Sequence, residues 1–236
     1  MNIDVSYYTS IGGRDNNEDF LSLAETKDRI VAIVADGLGG HSSGEIASQL
    51  AVKTIISELA NKELSVCALE RAVELANSKI LNDSSSDSMK TTVAVVWTTK
   101  KKALFATVGD TRIYHFRNNQ VIYQTIDHSV SQMSVMAGEI TVNQIRGHKD
   151  RNKLVRVLGH KEKVKADIIE VDLEPHDAIL ICSDGFWENI IENDMSRALS
   201  HSKDSKEWLE EMKEIVESTA TEDNDNNSAI AFFVNK

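Results

Sequence analysis

Four aspartates of this sequence each lie next to a short apolar run, in a turn that contains Gly or Asn. They are Asp36 in VADG, Asp110 in TVGDTR, Asp184 in ICSDG and Asp225 in TEDNDNNS. A lone aspartate in such a place is usually a turn former. Four carboxylates gathered at one end of a sheet, however, would repel each other unless cations neutralised them. Because Mg²⁺ and Mn²⁺ prefer oxygen ligands, the set predicts a divalent metal site.

The segment VADGLGGHSSGEIAS, residues 34–48, contains the first of these aspartates and four glycines. Gly39 and Gly44 have the spacing with which a Walker loop begins, but that loop continues with Lys, and this chain has Glu45. A carboxylate there would repel a phosphate. The glycines also do not follow the G-x-G-x-x-G spacing of dinucleotide-binding loops. We therefore expect Asp36 to hold a metal, and the glycines to let backbone and substrate come close to it.

Composition and charge restrict the class of protein. The chain has 236 residues, of which 41% are hydrophobic, and this is enough for a sizeable core. Its net charge of −11 argues against a broad nucleic-acid or anionic-membrane surface, and suggests that acidic peptides do not drive substrate docking. We expect a cytoplasmic protein, because the N-terminus lacks the pattern of a secretion signal and no apolar run approaches the roughly 20 residues of a membrane span. We also expect a monomer.

The two cysteines, Cys67 and Cys182, are far apart and lie in apolar periodic segments. Free cysteine is among the most buried residue types. We therefore predict that both are reduced core residues, in a reducing compartment.

Apolar periodicity predicts the order of secondary structure. The predicted elements are a strand at 29–36, helices at 43–60 and 66–81, strands TTVAVVWTT and ALFATVGD, a hairpin turning at Asn118-Asn119, strands KADIIEVDL and DAILICSD, a helix at 205–220 and a last strand SAIAFFV. Residues 127–160 are polar and read as an irregular excursion from the sheet. Several strands follow one another without a helix between them, so we expect largely antiparallel pairing, with long helices covering the faces. This is an α+β layered domain.

Eight segments, in order along nearly the whole chain, resemble the motifs of the metal-dependent Ser/Thr protein phosphatases of the protein phosphatase 2C type. They are GGRDNNEDF, VADGLGGHSSGEIAS, TTVAVV, VGDTRIYHF, DHSVSQMSVMAGEIT, HKDRNKLVRVLG, ICSDGFWENI and DNNSAIAFFV. One such motif would be weak evidence, but the ordered set is specific. The resemblance implies a single catalytic domain over residues 1–236, with four layers (α-β-β-α) and a flap at about 127–160.

The resemblance also implies a ligand set for two Mn²⁺ or Mg²⁺ ions. Asp36 would bridge the two metals, and the carbonyl of Gly37 would be a further ligand. The other implied ligands are Asp184 and Asp225 directly, Glu18 and Asp19 through water, and Asp110 together with Asp184 at a third, weaker site. A water activated by the two metals would then attack the phosphorus.

Two further roles follow from the same resemblance. Arg14 would hold the substrate phosphate with its guanidinium fork. Some members of the family carry a His directly after the metal-binding Asp-Gly as general acid, and this chain has Leu38 there. His41 is the candidate that remains, with a plain loop role as its alternative, so the general acid stays unassigned.

The implied substrates are phosphorylated proteins, the products of a Ser/Thr kinase, with no nucleic-acid or membrane partner. Two alternatives stay open. The chain could act on one regulatory phosphoprotein of the anti-sigma antagonist type, or it could bind phosphoproteins without turnover. A phosphatase for one partner would cleave one phosphoprotein rather than many phosphopeptides. A binding module would bind phosphopeptides without releasing phosphate.

Overall fold

The computed structural model describes residues 2–39, 43–83 and 89–235. Within these residues the chain forms eleven strands: β1 (Asn2–Ser10), β2 (Asp19–Glu25), β3 (Arg29–Leu38), β4 (Lys90–Thr91), β5 (Val93–Thr99), β6 (Lys102–Val108), β7 (Arg112–Arg117), β8 (Gln120–Gln124), β9 (Asp167–Asp172), β10 (Ala178–Cys182) and β11 (Asn227–Asn235). The same residues contain six α-helices, α1 (Ser43–Leu59), α2 (Val66–Asn82), α3 (Val130–Met136), α4 (Asp184–Trp187), α5 (Glu192–His201) and α6 (Ser205–Thr219), and a 3₁₀ helix, Val142–Gln144.

The strands form two antiparallel sheets. The first has the order β1-β11-β10-β7-β8, and the second β2-β3-β5-β6-β9, with β4 paired to β3. The hairpin between β7 and β8 turns at Asn118 and Asn119, which have φ of 52° and 57° as predicted for a turn of this kind. The chain passes from the second sheet to the first between β6 and β7.

Strand β3 shows how the layers are built. Its residues Ile30, Ala32 and Val34 pack between the two sheets. The alternate residues Val31 and Ile33 face the opposite way, against α1 and α2. Because successive side chains of a strand point to opposite faces, a strand covered on both faces must be apolar throughout, as the run IVAIVA is.

Helices cover the outer face of each sheet. The apolar stripes of α1 and α2 lie on the second sheet, and those of α5 and α6 lie on the first, where Trp208 and Met212 are fully buried. The predicted α+β fold, an antiparallel sandwich between two helical layers, is confirmed. Among the described residues, no helix is long and apolar enough to cross a membrane.

One core prediction is wrong, and several elements were not predicted. Cys182 is buried as expected, but Cys67 is exposed. Helix α2 begins at Val66, and its buried stripe starts only at Leu69, so Cys67 lies on the solvent side of the first turn. Among the missed elements, β1 is an edge strand of which no residue is fully buried, and its alternation of apolar side chains is correspondingly weak.

Candidate active site

The strand order brings the predicted carboxylates to one end of the sandwich. Strand β3 carries Asp36 near its end and lies antiparallel to β2, so that Asp19 is directly opposite Asp36. In the other sheet, Asp184 follows the end of β10 and Asp225 precedes the start of the adjacent antiparallel β11. Asp110 lies in the link between β6 and β7, at the same end. Residues up to 206 positions apart in sequence therefore meet.

An open cavity of about 470 Å³ lies at this end. It is lined by most of the residues that the sequence predicted, namely Arg14, Glu18, Asp36, Gly37, Asp110, Asp184 and Asp225. Asp19 lies beneath it and is buried, where its Oδ2 accepts a hydrogen bond from the hydroxyl of Ser183 at 2.7 Å. The candidate general acid His41 lies outside the described residues.

Burial and mutual repulsion dominate the electrostatics of the cavity. Burial, with the nearby charges of Asp184, Asp19 and other carboxylates, raises the pKa of Asp36 well above its usual range. The same causes raise the pKa of Asp184, where Asp110 is the carboxylate that contributes most. Burial also raises the pKa of Asp19 and that of Asp110 to about 7. The charge of each carboxylate raises the pKa of the others. A divalent cation bound among them would therefore stabilise the site.

Two unsatisfied atoms point to the same conclusion. Oδ1 of Asp19 and Oδ1 of Asp110 are buried without a hydrogen-bond partner. Such atoms are rare in native proteins and call for a missing ion or water. Among the described residues, no three His, Cys, Asp or Glu side chains already form the ligand set of one ion. The carboxylate oxygens at the cavity are nevertheless donors of the kind that Mg²⁺ and Mn²⁺ prefer.

The family model described as Protein phosphatase 2C matches residues 9–228 of the chain. This range includes every one of these carboxylates. The chain belongs to the protein phosphatase 2C family. The resemblance read from the eight motifs, and with it the predicted class of metal-dependent Ser/Thr protein phosphatase, is confirmed.

Individual relatives agree with the family. The chain is 31% identical to the serine/threonine phosphatase stp of Listeria welshimeri, over 89% of this chain and 88% of that protein. It superposes on the serine/threonine phosphatase of S. agalactiae with a TM-score of 0.89, at 27% identity, over 99% of this chain and all of that one. The catalytic domain of the phosphatase PstP, solved with two manganese ions, matches with a TM-score of 0.83 and 25% identity over the whole of both chains.

The Thr-Thr pair of the family motif anchors the backbone of Asp36. The N–H of Thr92 and the hydroxyl of Thr91 both donate to the Asp36 carbonyl oxygen, each at 2.8 Å. In return the N–H of Asp36 donates to the hydroxyl of Thr92 at 3.0 Å, and that hydroxyl bonds Thr111 at 2.6 Å. Thr111 of the segment VGDTRIYHF thus supplies a hydroxyl that supports this backbone anchor.

Gly37 is required by its neighbours. A Cβ at this position would lie 2.2 Å from the carbonyl oxygen of Gly44 and 2.7 Å from that of Glu18. Both are backbone atoms, which cannot move aside cheaply. The N–H of Gly37 also donates to the Glu18 carbonyl at 3.1 Å, so the backbone of the two acidic segments is fixed together.

Arg14 reaches the cavity from its rim. Its Nη2 donates to Oδ2 of Asp225 at 2.8 Å, and its side chain is 53% exposed. The loop that carries it is held by Asn226, whose amide group donates to the carbonyls of Ile11 and Asn16. The sequence motifs included Asn226, but its role was not predicted.

A buried arginine behind the site was also missed. Arg112 donates to both carboxylate oxygens of Asp127, at 2.8 and 2.6 Å, and its guanidinium lies 3.4 Å from the centre of a Trp187 ring. The indole N–H of Trp187 donates to the carbonyl of Asp110 at 3.0 Å. The segments VGDTRIYHF, DHSVSQMSVMAGEIT and ICSDGFWENI therefore meet in one chain of contacts, which fixes the backbone of Asp110.

Proposed function

We propose that this protein releases phosphate from phosphoserine and phosphothreonine in proteins, with Mn²⁺ or Mg²⁺ held at the cavity. The observation that carries the proposal is the group of buried and partly buried carboxylates with raised pKa around an open cavity that Arg14 borders. A divalent ion bound there supplies Lewis-acid chemistry and an ionised water at neutral pH.

The ligand assignments are part of this proposal. Asp36 would bridge two ions with the Gly37 carbonyl beside it, and Asp110 would serve a third site. Asp184 and Asp225 would ligate directly, and Glu18 and Asp19 through water. The buried, partnerless Oδ1 atoms of Asp19 and Asp110 support their place in the set.

The chain's own residues bind and orient the substrate. The guanidinium of Arg14 offers a bidentate fork for a phosphate, and its exposed side chain can reach a ligand that arrives from solvent. The general acid stays unassigned, because the candidate His41 lies outside the described residues.

Further parts of the proposal concern context. We infer a single catalytic domain over residues 1–236, in which 127–160 acts as a flap, because Asn152 and Leu154 of that segment line the cavity. We infer action as a cytoplasmic monomer on the products of a Ser/Thr kinase. The net charge of −11 supports the absence of a broad nucleic-acid or anionic-membrane surface.

One experiment tests the reaction itself. Phosphate release from a phosphothreonine peptide is measured in Mn²⁺, in Mg²⁺ and in excess EDTA. Release that requires either metal supports the proposal, and full activity in EDTA overturns it. Peptide binding without release in Mn²⁺ would favour a binding module. Release from one phosphoprotein among many would favour a phosphatase dedicated to one partner.

A further inference from the structure

The positive charge of this acidic protein is concentrated in one segment. Residues 146–165, here named the basic segment, contain eight Lys and Arg and two acidic residues, Asp150 and Glu162. The segment therefore carries about +6 within a chain of net charge −11, and the rest of the chain is more acidic than the total suggests.

The basic segment is attached to the wall of the cavity. Asn152 and Leu154 line the cavity itself. Further along, Leu158 exchanges two backbone hydrogen bonds with Thr91, at 2.9 and 3.2 Å, and the hydroxyl of Thr91 holds the Asp36 carbonyl. A ligand in the cavity therefore lies beside this segment.

Half of its cations are already paired. Arg151 binds Glu188 at 2.6 Å, Lys153 binds Asp150, Arg156 binds Asp167 and Arg146 binds Glu192. The remaining four are exposed lysines that have no ion pair with any residue in the described part of the chain, namely Lys149, Lys161, Lys163 and Lys165. Their charge is available to a partner.

Two of these lysines are placed at the cavity end of the fold. Lys149 lies in the turn closed by a hydrogen bond from the N–H of Arg151 to the carbonyl of His148, three residues before Asn152. Lys165 precedes β9, whose first residue Asp167 pairs with Thr107, next to the end of β6 that leads to Asp110. The carbonyl of Lys165 accepts from Arg156, which fixes this corner.

We propose that the basic segment is a docking surface for acidic residues that flank the phosphorylated Ser or Thr of a protein substrate. This rests on the proposed phosphatase function, since it assumes a phosphate in the cavity. A peptide with Asp or Glu beside the phosphosite would be repelled by most of this protein, but would meet the unpaired lysines as it leaves the cavity. The net charge of −11 alone suggested that acidic peptides do not drive docking, because a total over the whole chain hides the positive charge of this segment.

The test compares two phosphothreonine peptides of equal length, one with Asp and Glu flanks and one with Ser and Gly flanks. In Mn²⁺ the wild-type kcat/KM is expected to be about tenfold higher on the acidic peptide, as two or three exposed charge pairs would give. The ratio should fall towards one in about 1 M salt, where the Debye length is about 3 Å. The double variant Lys149→Glu, Lys165→Glu should lose or reverse the preference.

A matched control keeps the same change of net charge at the far end of the fold. The double variant Lys203→Glu, Lys206→Glu alters the start of α6, where the N–H of Ser205 donates to Asp4, at the end of the first sheet opposite the cavity. It should keep the wild-type ratio. An equal loss in both double variants would mean a general charge effect and would overturn the docking surface.

The remaining outcomes separate this inference from the phosphatase function. Absence of Mn²⁺-dependent turnover of p-nitrophenyl phosphate, which has no flanking residues, would overturn both. Turnover of p-nitrophenyl phosphate with equal kcat/KM on the two peptides would overturn the docking surface alone. If kcat/KM is equal on the two peptides and the protein binds phosphatidylserine vesicles through these lysines, the basic segment would be a membrane-binding surface instead.

Discussion

Strand β10 has an aspartate just beyond each end, and the two differ in almost every physical respect. Asp177 precedes the strand and Asp184 follows it, only seven positions along the chain. Both lie in buried surroundings. Asp177 accepts hydrogen bonds from Nε and Nη2 of Arg117, each at 2.8 Å, and from the N–H of Glu174. The ring of His115 lies 2.9 Å from its Oδ2.

Their pKa values move in opposite directions. Burial raises the pKa of Asp177, but the hydrogen bonds from Arg117 and His115 outweigh it and hold the pKa well below the usual range. Burial raises the pKa of Asp184 as well, and there the charges of Asp110 and Asp225 add to the effect. Burial alone therefore does not mark a functional carboxylate. What distinguishes them is whether the protein itself supplies the positive partner.

The largest expected effect is a loss of activity on substitution of Asp184, which substitution of Asp177 should not cause. Asp184→Asn should lower kcat/KM by at least about 10³-fold, because under the proposed assignment it removes a ligand of the ions that would neutralise the transferring phosphate. Its free energy of unfolding in EDTA should not fall, since one negative charge leaves a repelling group. Phosphate release and urea unfolding measure the two quantities. Turnover near the wild-type value would remove Asp184 from the metal site.

The converse substitution should affect stability instead. Asp177→Asn removes the buried carboxylate that pairs with the partly buried Arg117 and contacts His115, and should lower the free energy of unfolding by about 3 kcal/mol. Its kcat/KM should stay close to wild type. The control is Asp172→Asn, where the side chain is 83% exposed, and a change within about 0.5 kcal/mol is expected. Equal destabilisation by both would contradict the comparison.

The stabilisation of the protein by metal should depend on Asp184 but not on Asp177. Mn²⁺ at 100 times its Kd should raise the free energy of unfolding of the wild type by about 2.7 kcal/mol over its value in EDTA. Asp177→Asn should gain as much, and Asp184→Asn clearly less. Thermal unfolding with and without Mn²⁺ measures this, and a full gain in Asp184→Asn would be evidence against its role as ligand.

A smaller effect concerns the cation at the active end. Unlike Arg117, Arg14 has a side chain that is 53% exposed, and within the described residues its guanidinium forms one ion pair, with Asp225. Arg14→Ala should therefore change stability by less than about 1 kcal/mol. It should raise KM about tenfold with little change of kcat, because a phosphate clamp acts in ground and transition states alike. A fall of kcat alone in steady-state kinetics would show that the clamp role is wrong.

The smallest effect is a pH dependence. Since the folded pKa of Asp177 is lowered, its contribution to stability is fully present above its unfolded pKa of about 3.9 and is lost as the pH falls through the folded pKa. The wild type should lose more stability than Asp177→Asn between about pH 4 and pH 2. Urea midpoints measured in EDTA over this range provide the check, and parallel curves would contradict it.

Much of this site could be anticipated from local sequence. The run DAILICSD predicted a strand, and Asp184 stood out because a glycine follows it within a family motif. Asp177 was not distinguished, since its partners His115 and Arg117 lie about 60 positions away on β7. The buried pair of Arg112 and Asp127 could not be predicted either, although the two residues lie in the motif segments VGDTRIYHF and DHSVSQMSVMAGEIT, because the contact depends on how β7 and the following segment pack.

The sequence by itself determined the family, the layered α+β class and the identity of the aspartates next to apolar runs, because these depend on residue type and short-range period. The sequence also contained the charge of the basic segment, about +6, but not its position relative to the cavity. Tertiary structure decided that Asp19 lies opposite Asp36, that Asp184 has carboxylates for neighbours while Asp177 has Arg117, and that the basic segment borders the cavity. Strand register and sheet order set these distances, and electrostatic energy depends on distance rather than on position along the chain.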